Sequence, residues 1–201
     1  KADPELRKSY FEDLDMLFYA GASLPQDVWD DLEQMAREVR GAVPLMNSSW
    51  GLTETGPACL IQHEPTHMSG IIGVPMTGVE VKLIPDEDMR CEIRVRGPNI
   101  MPGYLHDAEK TAEAFDDEGW YKTGDLGYLD DKGFLYLKGR EKDLIVLANG
   151  RNVYPEDVEV VLCNLPGVRD AVVIGVPKNG GAPEVHAVLL LEDGSEADAV
   201  V

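Results

Sequence analysis

The sequence is poor in three features, and each shortage excludes a class of protein. No apolar run approaches 18 residues, so no membrane-spanning helix is predicted. Only 18 of the 201 residues are basic against 37 acidic, and the net charge of −19 argues against a nucleic-acid or anionic-membrane surface, because phosphates would be repelled. The three cysteines, Cys59, Cys91 and Cys163, form no CxxC pair and indicate neither a zinc site nor a disulfide framework. We expect reduced core thiols in a cytoplasmic protein.

What remains is an ordinary globular composition, with 44% hydrophobic and 27% charged residues. The pattern of elements is mixed α/β and α+β. Residues 1–69 read as strand, helix and strand, residues 70–139 as a β-rich stretch of alternating strands, and residues 140–201 as α+β. Because the first strands have no complete sheet of their own and no closing helix follows at the end, we expect a fragment of a longer protein.

The first stretch predicts a buried strand that ends at Gly21, a helix that ends at Gly41 and a short strand over residues 43–46. Residues 47–56 read as a loop. One face of the helix is expected to be apolar because its residues recur at steps of four, three and four. These residues are Val28, Leu32, Met35 and Val39.

The predicted loop carries a ring, a glycine, hydroxyls and a carboxylate within a few positions. The Trp50 ring could stack on a purine, as aromatic side chains do with bases. The Thr53 hydroxyl can donate to a phosphate, and Glu54 offers the hard oxygen that Mg²⁺ prefers. The alternative is a polar loop with one packed tryptophan.

Two polar residues and one glycine have two interpretations each. Asp125 follows a glycine and could accept both hydroxyls of a ribose, or it could simply stabilise a β-turn. Arg140 lies in a charged run and could grip a ribose or phosphate, although such runs are also typical of solvated hairpins. Gly150 would allow an extended ligand to approach closely, or would only form a turn before a helix.

The order of these segments resembles that of the adenylate-forming acyl-CoA synthetases, the AMP-dependent synthetase/ligase family, which also includes luciferases and peptide-synthetase adenylation domains. The matching landmarks run over nearly the whole chain, and their shared order is far more specific than any one motif. The landmarks are residues 18–25, Trp50 to Glu54, Arg96 to Tyr104 with Thr123 to Asp125, Gly139 to Asp143, and Gly150 to Glu159.

The resemblance implies a fold and a role for each site residue. Residues 1–69 would end a large α/β N-terminal domain, residues 70–139 would form a β-rich, barrel-like subdomain, and residues 140–201 would form an incomplete, small α+β C-terminal lid domain. The implied roles are adenine stacking for Trp50 beside Gly51, phosphate contact for Thr53, Mg²⁺ binding for Glu54, ribose binding for Asp125 with Arg140, the hinge for Lys142, the pantetheine channel for Gly150, and the acyl site for Gly21 and Ala22.

By the same resemblance, the activity would be ligation of a fatty or aromatic, feruloyl-type acid to coenzyme A through an acyl-adenylate, with ATP and Mg²⁺. The family's phosphate-binding loop and its C-terminal catalytic lysine do not occur in these residues, so we expect the chain by itself to be inactive. Two alternatives stay open: a peptide-synthetase adenylation domain, and a non-catalytic relative that binds nucleotide or a partner protein. The expected partners are a carboxylic acid, ATP and CoA, without nucleic acid, and a homodimer is compatible with the family.

Overall fold

The chain contains both helices and strands, as expected for a mixed α and β protein. The computed structural model describes residues 3–21, 24–85, 90–178 and 180–192. The elements are α1 (Pro4–Phe11), β1 (Met16–Ala20), α2 (Gln26–Arg40), β2 (Leu45–Trp50), β3 (Leu60–Gln62), β4 (Val74–Pro75), β5 (Glu80–Pro85), β6 (Cys91–Arg96), α3 (Ala108–Ala114), β7 (Tyr121–Leu129), β8 (Leu135–Arg140), β9 (Ile145–Val146), β10 (Asn152–Val153), α4 (Pro155–Cys163), β11 (Val168–Lys178) and β12 (Gly181–Leu191).

The described residues form two compact units. The first contains the described residues up to 123 together with residues 127–137, and the second contains residues 124–126 together with the described residues from 138 onward. None of the helices in the described ranges is long and apolar enough to cross a bilayer.

The first sheet has the strand order β1-β2-β3-β4. β1 and β2 are parallel, whereas β2–β3 and β3–β4 are antiparallel. Because parallel neighbours need a crossover connection, helix α2 joins the first two strands. Gly41 follows the helix with a φ of 73°, a left-handed conformation that glycine adopts without steric cost. The predicted helix and its glycine stop are confirmed, and so is a strand that ends before Gly21. The prediction that this strand is buried is wrong for the described residues, because Met16 and Phe18 of β1 are 51% and 52% exposed.

The buried face of α2 differs from the predicted one. Val28 is 40% exposed, whereas Trp29, Glu33 and Ala36 are 1%, 5% and 0% exposed. The Trp29 ring packs edge-on against Tyr19 of β1, with 5.9 Å between ring centroids. Burying an indole removes more apolar area from water than burying a valine, so the helix turns Trp29 inward and the prediction is wrong at Val28.

The second sheet has the strand order β5-β6-β7-β8, with β5 and β6 antiparallel. Alternate residues of β6 point into the core of the first unit, where Ile93 and Val95 are fully buried. We call this set the core cluster. Its buried members are Trp50, Cys59, Leu60, Ile72, Ile93, Val95, Tyr121 and Leu135.

The expectation of a barrel-like subdomain is wrong for the described residues. The strand order is linear, so β5 and β8 are edge strands and do not pair with each other. The physical reason is the number of strands, because barrels with an interior filled by side chains have about eight of them. The core cluster fills one face of an open sheet instead.

The second unit contains the β9–β10 pair, helix α4 and the long antiparallel β11–β12 hairpin. Pro155 stands at the first position of α4, where its missing N–H costs nothing. Helix α4 packs against β11, and Glu159 of the helix accepts a hydrogen bond from the Val173 backbone N–H at 2.8 Å.

Three local expectations need correction. Strand β2 continues through Trp50, so residues 47–50 are not part of a loop. Helix α1 was not predicted, although Asp3 caps its N-terminus by accepting from the Glu5 N–H at 2.8 Å. Cys163 is exposed at the end of α4 and is not a core thiol, whereas Cys59 is fully buried.

Candidate functional site

A short 3₁₀ turn, Thr53–Thr55, carries the first predicted site residues and follows β2 after two residues. Gly51 allows the backbone before the turn to pass close to Pro57, because a Cβ atom at position 51 would lie only 1.9 Å from the carbonyl oxygen of Pro57. The buried Thr55 hydroxyl accepts a hydrogen bond from the Leu52 backbone N–H at 2.8 Å. The close packing at Gly51 and the hydrogen bond to Thr55 therefore fix the conformation of the turn.

The turn contains Thr53, with a hydroxyl, and Glu54, with a carboxylate, as consecutive residues. Thr53 is exposed and Glu54 is partly buried. The Oε1 atom of Glu54 accepts a hydrogen bond from the Tyr104 hydroxyl at 2.9 Å, and its backbone carbonyl accepts one from the Met101 N–H at 2.9 Å. Burial raises the pKa of Tyr104, and the hydrogen bond to Glu54 raises it further, so the phenol stays a neutral donor.

Trp50 lies at the end of β2 with its side chain in the core cluster. The residue is only 6% exposed. Its packing agrees with the alternative interpretation of a packed tryptophan, and adenine stacking by Trp50 stays a prediction.

Asp125 and Arg140, which the sequence presents 15 positions apart, form an ion pair. The Nε atom of Arg140 lies 3.0 Å from Oδ1 of Asp125. The Asp125 side chain is 4% exposed, whereas that of Arg140 is 45% exposed. The carboxylate orients the guanidinium, and the exposed part of the guanidinium can still contact an anion or a hydroxyl.

The other predicted residues lie at turns. Lys142 is exposed in the 3₁₀ turn Glu141–Asp143, directly after β8. Gly150 is exposed between β9 and β10 with a φ of 80°, and Gly21 is exposed directly after β1 with a φ of 84°. Ala22 lies outside the described residues.

Glu54 is the residue predicted to bind Mg²⁺. Within the described ranges, no group of three or more His, Cys, Asp or Glu side chains is arranged to hold a metal ion. Mg²⁺ does not need three protein ligands, because it typically binds one or two carboxylates, several waters and the phosphates of its substrate. A carboxylate next in sequence to the exposed Thr53 therefore fits a cation that arrives with a nucleotide.

Two residues at these sites were not predicted to have a role. Tyr104 belongs to a segment that the resemblance identified, but its partner Glu54 lies 50 positions away, so no local pattern connects them. The Glu156 carboxylate accepts a hydrogen bond from the Arg140 backbone N–H. Glu156 belongs to the segment Gly150 to Glu159 that the resemblance identified, but the resemblance assigned it no role.

Comparison with known proteins places these features in a family. A family model described as AMP-binding enzyme matches residues 2–105, just over half of the chain. The chain is 38% identical over 159 residues to 2-succinylbenzoate–CoA ligase of Listeria monocytogenes serotype 4b (strain F2365), covering 78% of this chain and 32% of that protein. It is 36% identical over 153 residues to long-chain-fatty-acid–CoA ligase of Escherichia coli O157:H7, covering 73% and 27%. The chain thus spans about a third or less of the length of these curated relatives.

Solved structures of o-succinylbenzoate CoA synthetase from Bacillus subtilis share the fold. The complex with the acyl-adenylate intermediate has a TM-score of 0.74 and 29% sequence identity, and covers 98% of this chain and 42% of that chain. The complex with ATP and magnesium ion has a TM-score of 0.73 and 30% identity, with the same coverage. The chain therefore belongs to the AMP-binding enzyme family, the adenylate-forming enzymes that include these acid–CoA ligases.

Proposed function

We propose that the protein activates a carboxylic acid with ATP and transfers the acyl group to coenzyme A. The carboxylate would attack the α-phosphate and release pyrophosphate, and the CoA thiol would then displace AMP from the acyl-adenylate. The observation that carries this proposal is the turn after β2, which contains the exposed Thr53 and the partly buried Glu54 as consecutive residues. A carboxylate is the kind of ligand that Mg²⁺ takes together with substrate phosphates, and a hydroxyl can donate a hydrogen bond to a phosphate oxygen.

Each predicted site residue has a role in this proposal. When bound at Glu54, Mg²⁺ neutralises phosphate charge. Asp125 accepts the ribose hydroxyls, and its ion pair with Arg140 keeps the carboxylate oriented for them. The remaining proposed roles are adenine stacking for Trp50 beside Gly51, phosphate contact for Thr53, the hinge for Lys142, the pantetheine channel for Gly150, and the acyl site for Gly21 and Ala22.

We also propose that residues 140–201 belong to a lid domain. A mixed anhydride such as an acyl-adenylate hydrolyses in water, so the site that makes it must exclude water, and a mobile lid does so. The cytoplasmic location and a homodimeric state stay predictions from the sequence and the resemblance.

The proposed acid is fatty or aromatic. The two relatives described above are named for a long-chain fatty acid and for 2-succinylbenzoate, which supports both classes equally. Small residues such as Gly21 leave space for a large acyl group. A panel of fatty, aryl and amino acids tested for AMP release by the complete gene product would separate these classes.

The test of the activity is acid-dependent exchange of pyrophosphate into ATP by the complete gene product. We expect Asp125→Ala to reduce this exchange roughly 10- to 100-fold, because hydrogen bonds to charged groups contribute about 1.5–3 kcal/mol. Asp131→Ala is the matched control, since Asp131 is exposed in the turn between β7 and β8. Undiminished exchange in Asp125→Ala would refute the ribose role.

Other results of the same assay would support the alternatives. Exchange with amino acids only would indicate a peptide-synthetase adenylation domain. Nucleotide binding without any exchange would indicate a non-catalytic relative.

A further inference from the structure

We propose that Tyr104 is a positioning residue that holds the Glu54 carboxylate in the orientation that Mg²⁺ requires. The inference rests on the proposed function, because it assumes that Glu54 binds the metal. It adds a residue to which neither the sequence patterns nor the resemblance assigned a role.

Glu54 is held at two points by the segment that precedes α3. The Tyr104 hydroxyl donates to Oε1 at 2.9 Å, and the Met101 N–H donates to the backbone carbonyl of Glu54 at 2.9 Å. A glutamate at a turn would otherwise rotate freely about its side-chain bonds. The Tyr104 hydrogen bond reduces that freedom, and the Met101 hydrogen bond fixes the backbone from which the side chain extends. Oε2 remains for a cation because the tyrosine uses only one of the two carboxylate oxygens.

Tyr104 is itself anchored to helix α3. Its backbone N–H donates to the Thr111 hydroxyl at 2.9 Å, and Lys110 places its Nζ atom 4.6 Å from the centre of the Tyr104 ring. Asp107 caps the helix by accepting from the Lys110 N–H at 2.9 Å. The hydroxyl therefore extends from a rigid support.

Asn99 fixes the same segment to the other end of the turn. Its side-chain amide donates to the carbonyl oxygens of Thr55 and Ala58, at 2.7 and 3.2 Å. The segment that holds Glu54 thus also holds the residues that follow it. A shift of Tyr104 relative to the carboxylate would break several contacts at once.

Hydrogen bonds to a metal-binding carboxylate set its orientation, and removing such a partner typically weakens metal affinity about 10- to 100-fold. Tyr104→Phe deletes only the hydroxyl and keeps the ring on which Lys110 packs. We therefore expect Tyr104→Phe to weaken Mg²⁺ binding about tenfold without unfolding the protein.

The experiment is titration calorimetry of Mg²⁺ into the complete gene product, saturated with a non-hydrolysable ATP analogue. A parallel Mg²⁺ titration of pyrophosphate exchange should give a half-saturation that is about tenfold higher and a kcat at saturating Mg²⁺ that is nearly unchanged. Tyr136→Phe is the matched control, because its hydroxyl bonds Asp130 at 3.3 Å. Both variants should melt within a few degrees of the unmodified protein.

Glu54→Gln separates the inference from the function on which it rests. If Glu54→Gln weakens Mg²⁺ binding but Tyr104→Phe does not, the positioning role is refuted and the metal role of Glu54 stands. If Glu54→Gln leaves Mg²⁺ binding unchanged, the metal role fails and the positioning role fails with it. An equal loss of Mg²⁺ affinity in Tyr136→Phe and Tyr104→Phe would also refute the specific role of Tyr104.

Discussion

At the scale of single residues, Glu156 is an acid in an unfavourable place. The Glu156 carboxylate packs so closely on Gly139 that a Cβ atom at position 139 would lie only 2.5 Å from Oε2. The carboxylate also accepts a hydrogen bond from the Arg140 backbone N–H. Burial raises its pKa above the ordinary value, and the negative charges of Glu159 and Asp143 raise it further. The folded state therefore holds this proton more tightly than the unfolded chain does.

We expect Glu156→Gln to stabilise the protein at neutral pH. Because the folded pKa lies above the unfolded one, ionisation begins to destabilise the fold as pH rises above the ordinary value of about 4.5, and the full cost applies above the folded pKa. The amide removes this cost and still accepts from Arg140. The gain should be about 0.5–1 kcal/mol at pH 7, because solvent screens part of the repulsion, and close to zero near pH 4.5.

Thermal unfolding at several pH values would measure the effect. Glu141→Gln is the control, because Glu141 is an exposed acid directly after β8. A destabilisation at pH 7, or a gain that is the same at every pH, would contradict the prediction.

At the scale of elements, one buried carboxylate joins α2 to the loop between β3 and β4. The Trp29 indole N–H donates to Glu33 at 3.0 Å, Arg37 bonds the same carboxylate at 2.8 Å, and Nδ1 of His67 lies 2.7 Å away. Burial alone would raise the pKa of Glu33, but the hydrogen bonds from His67 and Trp29 and the nearby positive charges lower it. The buried face of α2 thus includes an acid whose carboxylate has hydrogen-bond partners.

We expect Glu33→Ala to destabilise the protein by about 1–3 kcal/mol at pH 7, because it leaves the buried Trp29 N–H without its acceptor. A carboxyl with a lowered pKa contributes stability above its unfolded pKa, and this contribution is lost as pH falls through the folded pKa. The difference between variant and unmodified protein should therefore shrink in acid. Urea unfolding at pH 7 and below pH 4 would measure both effects.

Glu38→Ala in the same helix is the matched control. Glu38 pairs with Arg7 at the surface, with a side chain that is 46% exposed, and such pairs contribute less than about 1 kcal/mol. An equal loss of unfolding free energy in the two variants would show that the buried Glu33 contributes no more to stability than the exposed Glu38.

Elements were the part of the fold that the sequence predicted best. Periodicity and the stop at Gly41 identified α2. Strand β2 was predicted too short, because its polar residues 47–49 resemble a loop when read alone. Those residues are paired with β1 and β3, so their strand conformation depends on neighbours that a local pattern does not contain.

At the scale of the whole molecule, the net charge of −19 has a consequence for stability. The 37 acidic residues outnumber the 18 basic ones, so pairing every basic residue would still leave a large acidic excess. Compact folding brings these charges together, and their mutual repulsion opposes it. The surface ion pairs, such as Lys82 with Glu118, are too solvated to offset that repulsion.

We expect the melting temperature to rise by about 2–5 °C when NaCl increases from about 10 mM to about 0.5 M at pH 7, because salt shortens the range of repulsion from about 30 Å to below about 5 Å. Differential scanning calorimetry would measure the rise. The response should shrink near the isoelectric point of about 4.4. A melting temperature that falls with salt would mean that attractive pairs dominate.

The sequence by itself determined the order of the motifs, and with it the family, because each motif is a short run of residue types that can be read without a structure. The tertiary structure decided which side chains meet, namely Tyr104 with Glu54 and Arg140 with Asp125. It also decided that Trp29, and not Val28, lies on the buried face of α2. It also decided that the second sheet stays open. Periodicity and turn chemistry act over a few residues, whereas these contacts join distant segments and depend on how the whole unit packs.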